Sequence, residues 1–344
     1  GTIQNFDQND GLKSGGMVFD MVNWKGKTYI ATKNGLFAFS GGNISKHYKK
    51  EQGLPSNIIL DMDTYDGLDF IWLATSNGIS KFDGTSFVNY SKNLGLPAKL
   101  VTAIHVDRTK SSIVWTGSEK SGLTRFDDNG FFNFATQDGL PTNSIRDITQ
   151  SNDGDLIIAC YNAGVVKYDG KTFKLFNNGL ADKRVILVTN GPDGSIWVGT
   201  ESAGVGVLND DQFKMVIDAD GLGHNEIFSL YYDGKRMWAG TFGGGVSCFS
   251  DGLWYTMSQA DGLASSNVGA IISSKGKILL GGNNGLSIFE ENNAQFALKF
   301  DKILTPKAEI PFQASMSKLV GIINDRFFMT ANAMVYNPAA AQVR

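Results

Sequence analysis

Short apolar segments recur along the chain at near-constant spacing, each closing on a small residue and each followed by a turn. The copies are Thr28 to Thr32, Ile71 to Thr75, Val114 to Ser118, Leu156 to Cys160, Ile196 to Thr200, Met237 to Thr241 and Ile278 to Gly282, separated by steps of 43, 43, 42, 40, 41 and 41 residues. A period of this size held over seven copies marks a repeat architecture and outranks any local reading of secondary structure. A Gly-Leu pair keeps the same step, beginning at Gly11, Gly53, Gly95, Gly139, Gly179, Gly221 and Gly262. Two unrelated motifs in phase define the unit.

Within one unit, Asn57 to Asp63 reads as a first strand, Phe70 to Thr75 as a second, Gly78 to Phe82 as a third and Ser86 to Tyr90 as a fourth. Asp66-Gly67, Asn77-Gly78 and Asp83-Gly84 separate them, and such pairs suit tight hairpins that demand positive φ. Each unit is therefore a four-stranded antiparallel meander. The second strands, which carry Trp72, Trp115, Trp197 and Trp238, are apolar on both faces. A strand of that kind must be covered on both sides, which one meander cannot do for itself. Radial stacking of meanders solves the problem, so the expected fold is an all-β β-propeller forming one domain over residues 1–344.

Thr2 to Phe6 precedes the first Gly-Leu and matches a fourth strand. It finds three partners if Leu319 to Asn324, Arg326 to Ala331 and Ala333 to Asn337 are the first three strands of a last unit. That count gives eight blades, with the N-terminal strand closing the last and removing the open edge. The alternative is seven blades plus a C-terminal tail, because the eighth copy lacks Gly-Leu and follows a connection interrupted by Pro306 and Pro311.

Forty-one Gly against seven Pro, with 23 Phe, suit many short strands and tight turns. The net charge of -3 comes from interspersed charges and leaves no basic stripe, so nucleic acid is not an expected partner. No apolar run approaches the ~18 residues of a membrane span. The chain starts at Gly1 without a leader, and a leader removed in maturation is the expectation. Cys160 and Cys248 lie two repeats apart and are expected to be free buried thiols. His47, His105 and His224 have no metal-type spacing, and no nucleophile elbow or phosphate loop appears, so neither catalytic residues nor a metal or cofactor are expected.

The ordered pattern Gly-Leu-Pro-x-Asn, first strand, Asp-Gly-x-Ile-Trp-Val-Gly-Thr, Gly-Gly-Leu/Val and Phe-Asp-Gly, best kept in Gly53 to Tyr90, Gly139 to Phe176 and Gly179 to Val216, resembles the two-component regulator propeller repeat. The resemblance covers roughly residues 1–300. It implies a ligand-sensing or protein-interaction propeller of the extracytoplasmic, periplasmic kind found in hybrid two-component systems, often of Bacteroidetes, that detect carbohydrate fragments. No immunoglobulin-like module, membrane helix or kinase follows the repeats in these 344 residues, so signalling is implied by likeness alone. The alternative function is a propeller lyase or hydrolase of the streptogramin-lyase type, for which His105 or His224 would be the base.

The loops entering the first strands and those joining second to third strands are expected on one face of the ring. Candidate ligand-binding residues there are Asn57, Asn143, Arg184 and Asn225 on the entering loops, with Glu119, Lys120, Tyr161, Asn162, Glu201 and Phe242 on the others. Tyr161 and Phe242 stand out as aromatic platforms among amides and charges, a combination suited to an oligosaccharide or a protein ligand. A dimer is a further expectation.

Overall fold

Alternation along a single strand sets the architecture. In Ile71–Thr75 the side chains of Ile71 and Leu73 pack to one side against Tyr29 and Leu36, while Trp72 and Ala74 pack to the other against Leu96 and Ile104. The computed structural model, which describes residues 1–12, 17–290, 320–323 and 326–329, repeats this arrangement in seven four-stranded antiparallel sheets. Blades 1 to 6 span residues 18–48, 59–90, 101–134, 145–176, 185–216 and 227–257; blade 7 spans 268–290 together with Thr2–Phe6. Seven apolar clusters follow, one at each interface between neighbouring blades.

The ring shuts with seven blades, which corrects the eight-blade expectation. Thr2–Phe6 pairs with Gly285–Glu290, Thr2 opposite Glu290 and Phe6 opposite Leu286, and so supplies the outer strand of blade 7. The eight-blade count gave the seventh repeat an outer strand of its own beyond Glu290, which left the N-terminal strand free to complete another unit. Instead that strand takes the seventh edge, and Phe6 enters the cluster joining Leu279 and Ile288 of blade 7 to Ile30 and Phe39 of blade 1. Val320–Ile323 and Arg326–Met329, within two of the expected tail strands, pair with each other as a separate two-stranded sheet. The third, residues 333–337, lies outside the described residues, as does the connection at 302–317.

The Gly-Leu marker has a physical basis. A short 3-10 turn opens most of the connections between blades, as in Lys50–Gln52, Lys92–Leu94 and Thr136–Asp138, and the next Gly sits in the left-handed region, φ 106°, 99° and 102° at Gly53, Gly95 and Gly139. Glycine takes this conformation without the Cβ clash that penalises other residues. The Leu that follows then drops into the interface between two blades, where Leu54, Leu96 and Leu140 are fully buried.

First strands line the central channel, and each carries a β-bulge near its start, for example between Val18 and Asp20, Ile59 and Asp61, and Ile145 and Asp147. Just after the bulge, carboxyl groups tie blade to blade. Asp20 Oδ2 accepts the Met62 N–H at 2.9 Å, Asp61 Oδ2 accepts that of Ile104 at 2.7 Å, and Asp147 Oδ2 accepts that of Val188 at 2.8 Å. These carboxyls keep some surface toward the narrow channel but are enclosed by protein on every other side. Burial pushes Asp20 up to about 8, and raises Asp61 and Asp147 as well, with neighbouring carboxylates adding to the effect. Asp63 differs: burial pushes it up, but the hydrogen bonds from His105 and Arg108 and the positive charge of Arg108 outweigh that and hold it below the usual carboxylate value.

Two expectations follow. Phe6→Ala empties a buried site at the ring's seam, so denaturant unfolding should show a loss of about 3–5 kcal/mol; a loss near zero would contradict the clasp. The folded protein also holds a proton on Asp20 that the unfolded chain has released, so stability should fall as pH rises from about 4 to about 8. Thermal melts across that window should show a shallower slope for Asp20→Asn, and parallel slopes would refute the shift.

Candidate functional site on the loop face

Backbone hydrogen bonds bring the two loop sets together on one face, as expected. The N–H groups of Gly35, Gly78 and Gly122, which open or immediately precede third strands, donate to the carbonyls of Asn57, Lys99 and Asn143 on the loops entering the next blade. Within a blade, the N–H groups of Tyr161, Glu201 and Phe242 donate to Ser144, Arg184 and Glu226.

The three asparagines serve the frame of this face. Asn57, Asn143 and Asn225 each use Oδ1 to accept the first N–H of a 3-10 turn, that of Lys50, Thr136 and Asp218, at 2.8, 2.9 and 2.7 Å. Lys120 and Asn162 are exposed, and Asn162 adopts a positive φ of 65° in its turn.

The charged and aromatic candidates form a continuous strip across blades 3 to 5. Glu119 accepts Arg146 Nη1 at 2.8 Å, and the Arg146 guanidinium lies 4.6 Å from the centre of the Tyr161 ring. The Tyr161 hydroxyl donates to Glu201 Oε2 at 2.8 Å, and the same oxygen takes Arg184 Nη1 at 2.6 Å. Arg184 in turn grips Asp182 through Nε and Nη2, both at 2.9 Å, with Ser202 bonded to the same carboxylate. Burial pushes Asp182 up, but these bonds outweigh it and leave it below its usual value. Such solvent-screened pairs add little to stability. Their consequence is geometric: they hold donors, acceptors and a phenol ring in fixed positions.

Next to this strip, on blade 6, Phe242 is 46% exposed and packs edge-on against Phe228 at 5.4 Å, with His224 at 6.4 Å. His224 uses Nδ1 to accept the Glu226 N–H at 3.0 Å. His105, the other histidine considered as a base, lies in the channel wall of blade 3 beside Asp63. The two belong to different blades and different environments.

The strip thus joins Glu119, Tyr161, Arg184 and Glu201, while Phe242 belongs to a neighbouring aromatic group. Arg146 and Phe228 were not singled out from the sequence. Both are bulge residues, one position into the first strand, where the extra residue re-aims the side chain. Aligning that position across repeats gives Phe19, Leu60, Thr102, Arg146, Ile186, Phe228 and Gly269, and this variability within a regular unit is the signal that would have exposed them.

Solved structures of similar fold include both sensor domains and lyases. The extracellular domain of a hybrid two-component system from B. thetaiotaomicron superposes with a TM-score of 0.72 at 21% identity, over 83% of this chain and 41% of that one. The chain has the fold of these sensor propellers. A second such domain from the same organism gives 0.71 at 18% identity, over 85% of this chain and 43% of the other, so the chain spans about two fifths of either sensor domain. Virginiamycin B lyase from Staphylococcus aureus gives 0.67 at 13% identity, over 83% of this chain and 98% of the lyase. No protein-family model matches the chain, and no curated protein sequence matches it. The resemblance read from the repeats and the similarity found in structure point to the same sensor propellers.

The hydrogen bond to Glu201 raises the Tyr161 phenol above its usual value, and burial adds to the shift. Glu201→Gln should therefore move the ionisation of Tyr161 to lower pH in a spectrophotometric titration against Tyr161→Phe as blank. An unchanged value would show that the bond is not made in solution.

Proposed function

We propose that this chain is a non-enzymatic sensing propeller, exported from the cytoplasm, that binds an oligosaccharide on its loop face. The observation that carries this reading is the pairing of an exposed aromatic group, Phe242 with Phe228, with an adjacent strip of fixed charges and hydroxyls around Tyr161 and Arg184. A sugar ring offers an apolar face for the aromatic and equatorial hydroxyls for carboxylates and guanidinium groups. Phe242 is the stacking platform. Tyr161 already has Arg146 over its ring, so it acts as an anchoring wall and through its hydroxyl bond to Glu201.

The fold similarity to sensor domains supports the same reading. Among the described residues no helix is long and apolar enough to cross a membrane. The lyase alternative rests on fold likeness, with His105 and His224 divided between the channel wall and the loop face.

Calorimetry against a panel of oligosaccharides tests the proposal. Phe242→Ala should weaken binding at least about tenfold, which is about 1.4 kcal/mol, with no change in melting temperature. Equal affinity would remove Phe242 from the site, and product formation on incubation would establish turnover instead.

A further inference from the structure

The channel also holds a cavity, which runs from the middle of the first strands toward the end away from the loop face. The first strands of blades 1 to 5 enclose its volume of about 500 Å³, within the size range of small-molecule sites. Its wall holds an excess of hydrogen-bond acceptors. Asp20, Asp61 and Asp147 accept main-chain N–H groups, and once ionised a carboxylate has about four lone-pair positions, so each retains accepting capacity toward a ligand that brings positive charge.

Two further acceptors are buried there without partners. His105 is 5% exposed and meets Asp63 Oδ2 through Nδ1 at 3.2 Å, while its Nε2 has no hydrogen-bond partner. In the neutral ring whose proton sits on Nδ1 and is directed at Asp63, Nε2 presents a lone pair. Asn190 donates through Nδ2 to the Gln150 carbonyl at 2.7 Å, which fixes its amide orientation and leaves Oδ1 buried and unpartnered. Arg108, the one Lys or Arg in the cavity wall, is already held by Asp63 at 2.6 Å.

A wall of unspent acceptors calls for a ligand that brings N–H donors and positive charge. Among the described residues no three His, Cys, Asp or Glu side chains are grouped to hold a metal ion. We propose that the channel cavity binds a small organic ammonium ion, gripped by Asp61 and Asp147 with His105 Nε2 and Asn190 Oδ1 as neutral acceptors. An ammonium has three donors and no acceptor, the complement of this wall. It also supplies the counter-charge that lets buried carboxyls ionise, which without a cation is opposed by their burial. The site is independent of the loop face and of the function proposed for it.

Isothermal titration with 1,4-diaminobutane, 1,4-butanediol and calcium chloride tests this directly. The diamine should bind saturably, the diol should not, and affinity should fall at least about tenfold in Asp61→Asn, Asp147→Asn and Asn190→Leu. Thermal melts of each variant establish that it is folded. Asn190→Leu leaves the blade-bridging carboxyls intact, so its result decides the matter even where an Asp variant unfolds. Absence of diamine binding, equal affinity in folded variants, or calcium binding in place of the diamine would overturn the proposal.

Discussion

No blade of this protein can exist alone, because its second strand is apolar on both sides. Ile157 and Ala159 need the cover of blade 5, while Leu156, Ile158 and Cys160 of the same strand need that of blade 3. The demand passes from blade to blade and ends only when the last meets the first. Blade 7 therefore has to present a complete sheet to blade 1, and the N-terminal strand makes it complete. Phe6, against Phe39 at 5.3 Å, is where the two ends of the ring touch.

Closing such a ring draws seven first strands around a channel, and the channel cannot be treated as core. Its wall is polar, and neighbouring blades are joined there by carboxyl-to-amide bonds in place of apolar contacts. The same first strands bulge near their starts, and the bulges hand side chains such as Arg146 and Phe228 to the loop face. One local irregularity, repeated around the ring, thus separates a regular scaffold from a variable surface. Stability resides in the interfaces, and variability in the residues that escape them.

Periodicity made the blade legible. Ile71–Thr75, Val114–Ser118, Leu156–Cys160, Ile196–Thr200 and Met237–Thr241 coincide with the strands read from the apolar pattern. The hairpin turns were legible for the same reason, since positive φ selects Gly and Asn. Blade number was less so, because an outer strand such as Thr2–Phe6 has one exposed side and little pattern of its own. Its partner is set by the geometry of closure, which acts over more than 280 residues of sequence. At the loop face, residue type singled out Tyr161, Arg184, Glu119 and Glu201 but not what they touch, since Tyr161 meets Glu201, and Glu119 meets Arg146, across two different repeats. The channel carboxyls were hidden in the opposite way: Asp20, Asp61 and Asp147 stand at one repeat position, yet a single strand gives no hint that this position faces the amide of the next blade.

Amide hydrogen exchange at Thr2–Phe6 tests ring closure most directly. In a ring closed by this strand its amides should be protected to the same degree as those of the other outer strands, Phe87–Tyr90 and Phe173–Phe176. Exchange at the rate of an unstructured peptide, with those strands protected, would contradict the closed seven-blade ring.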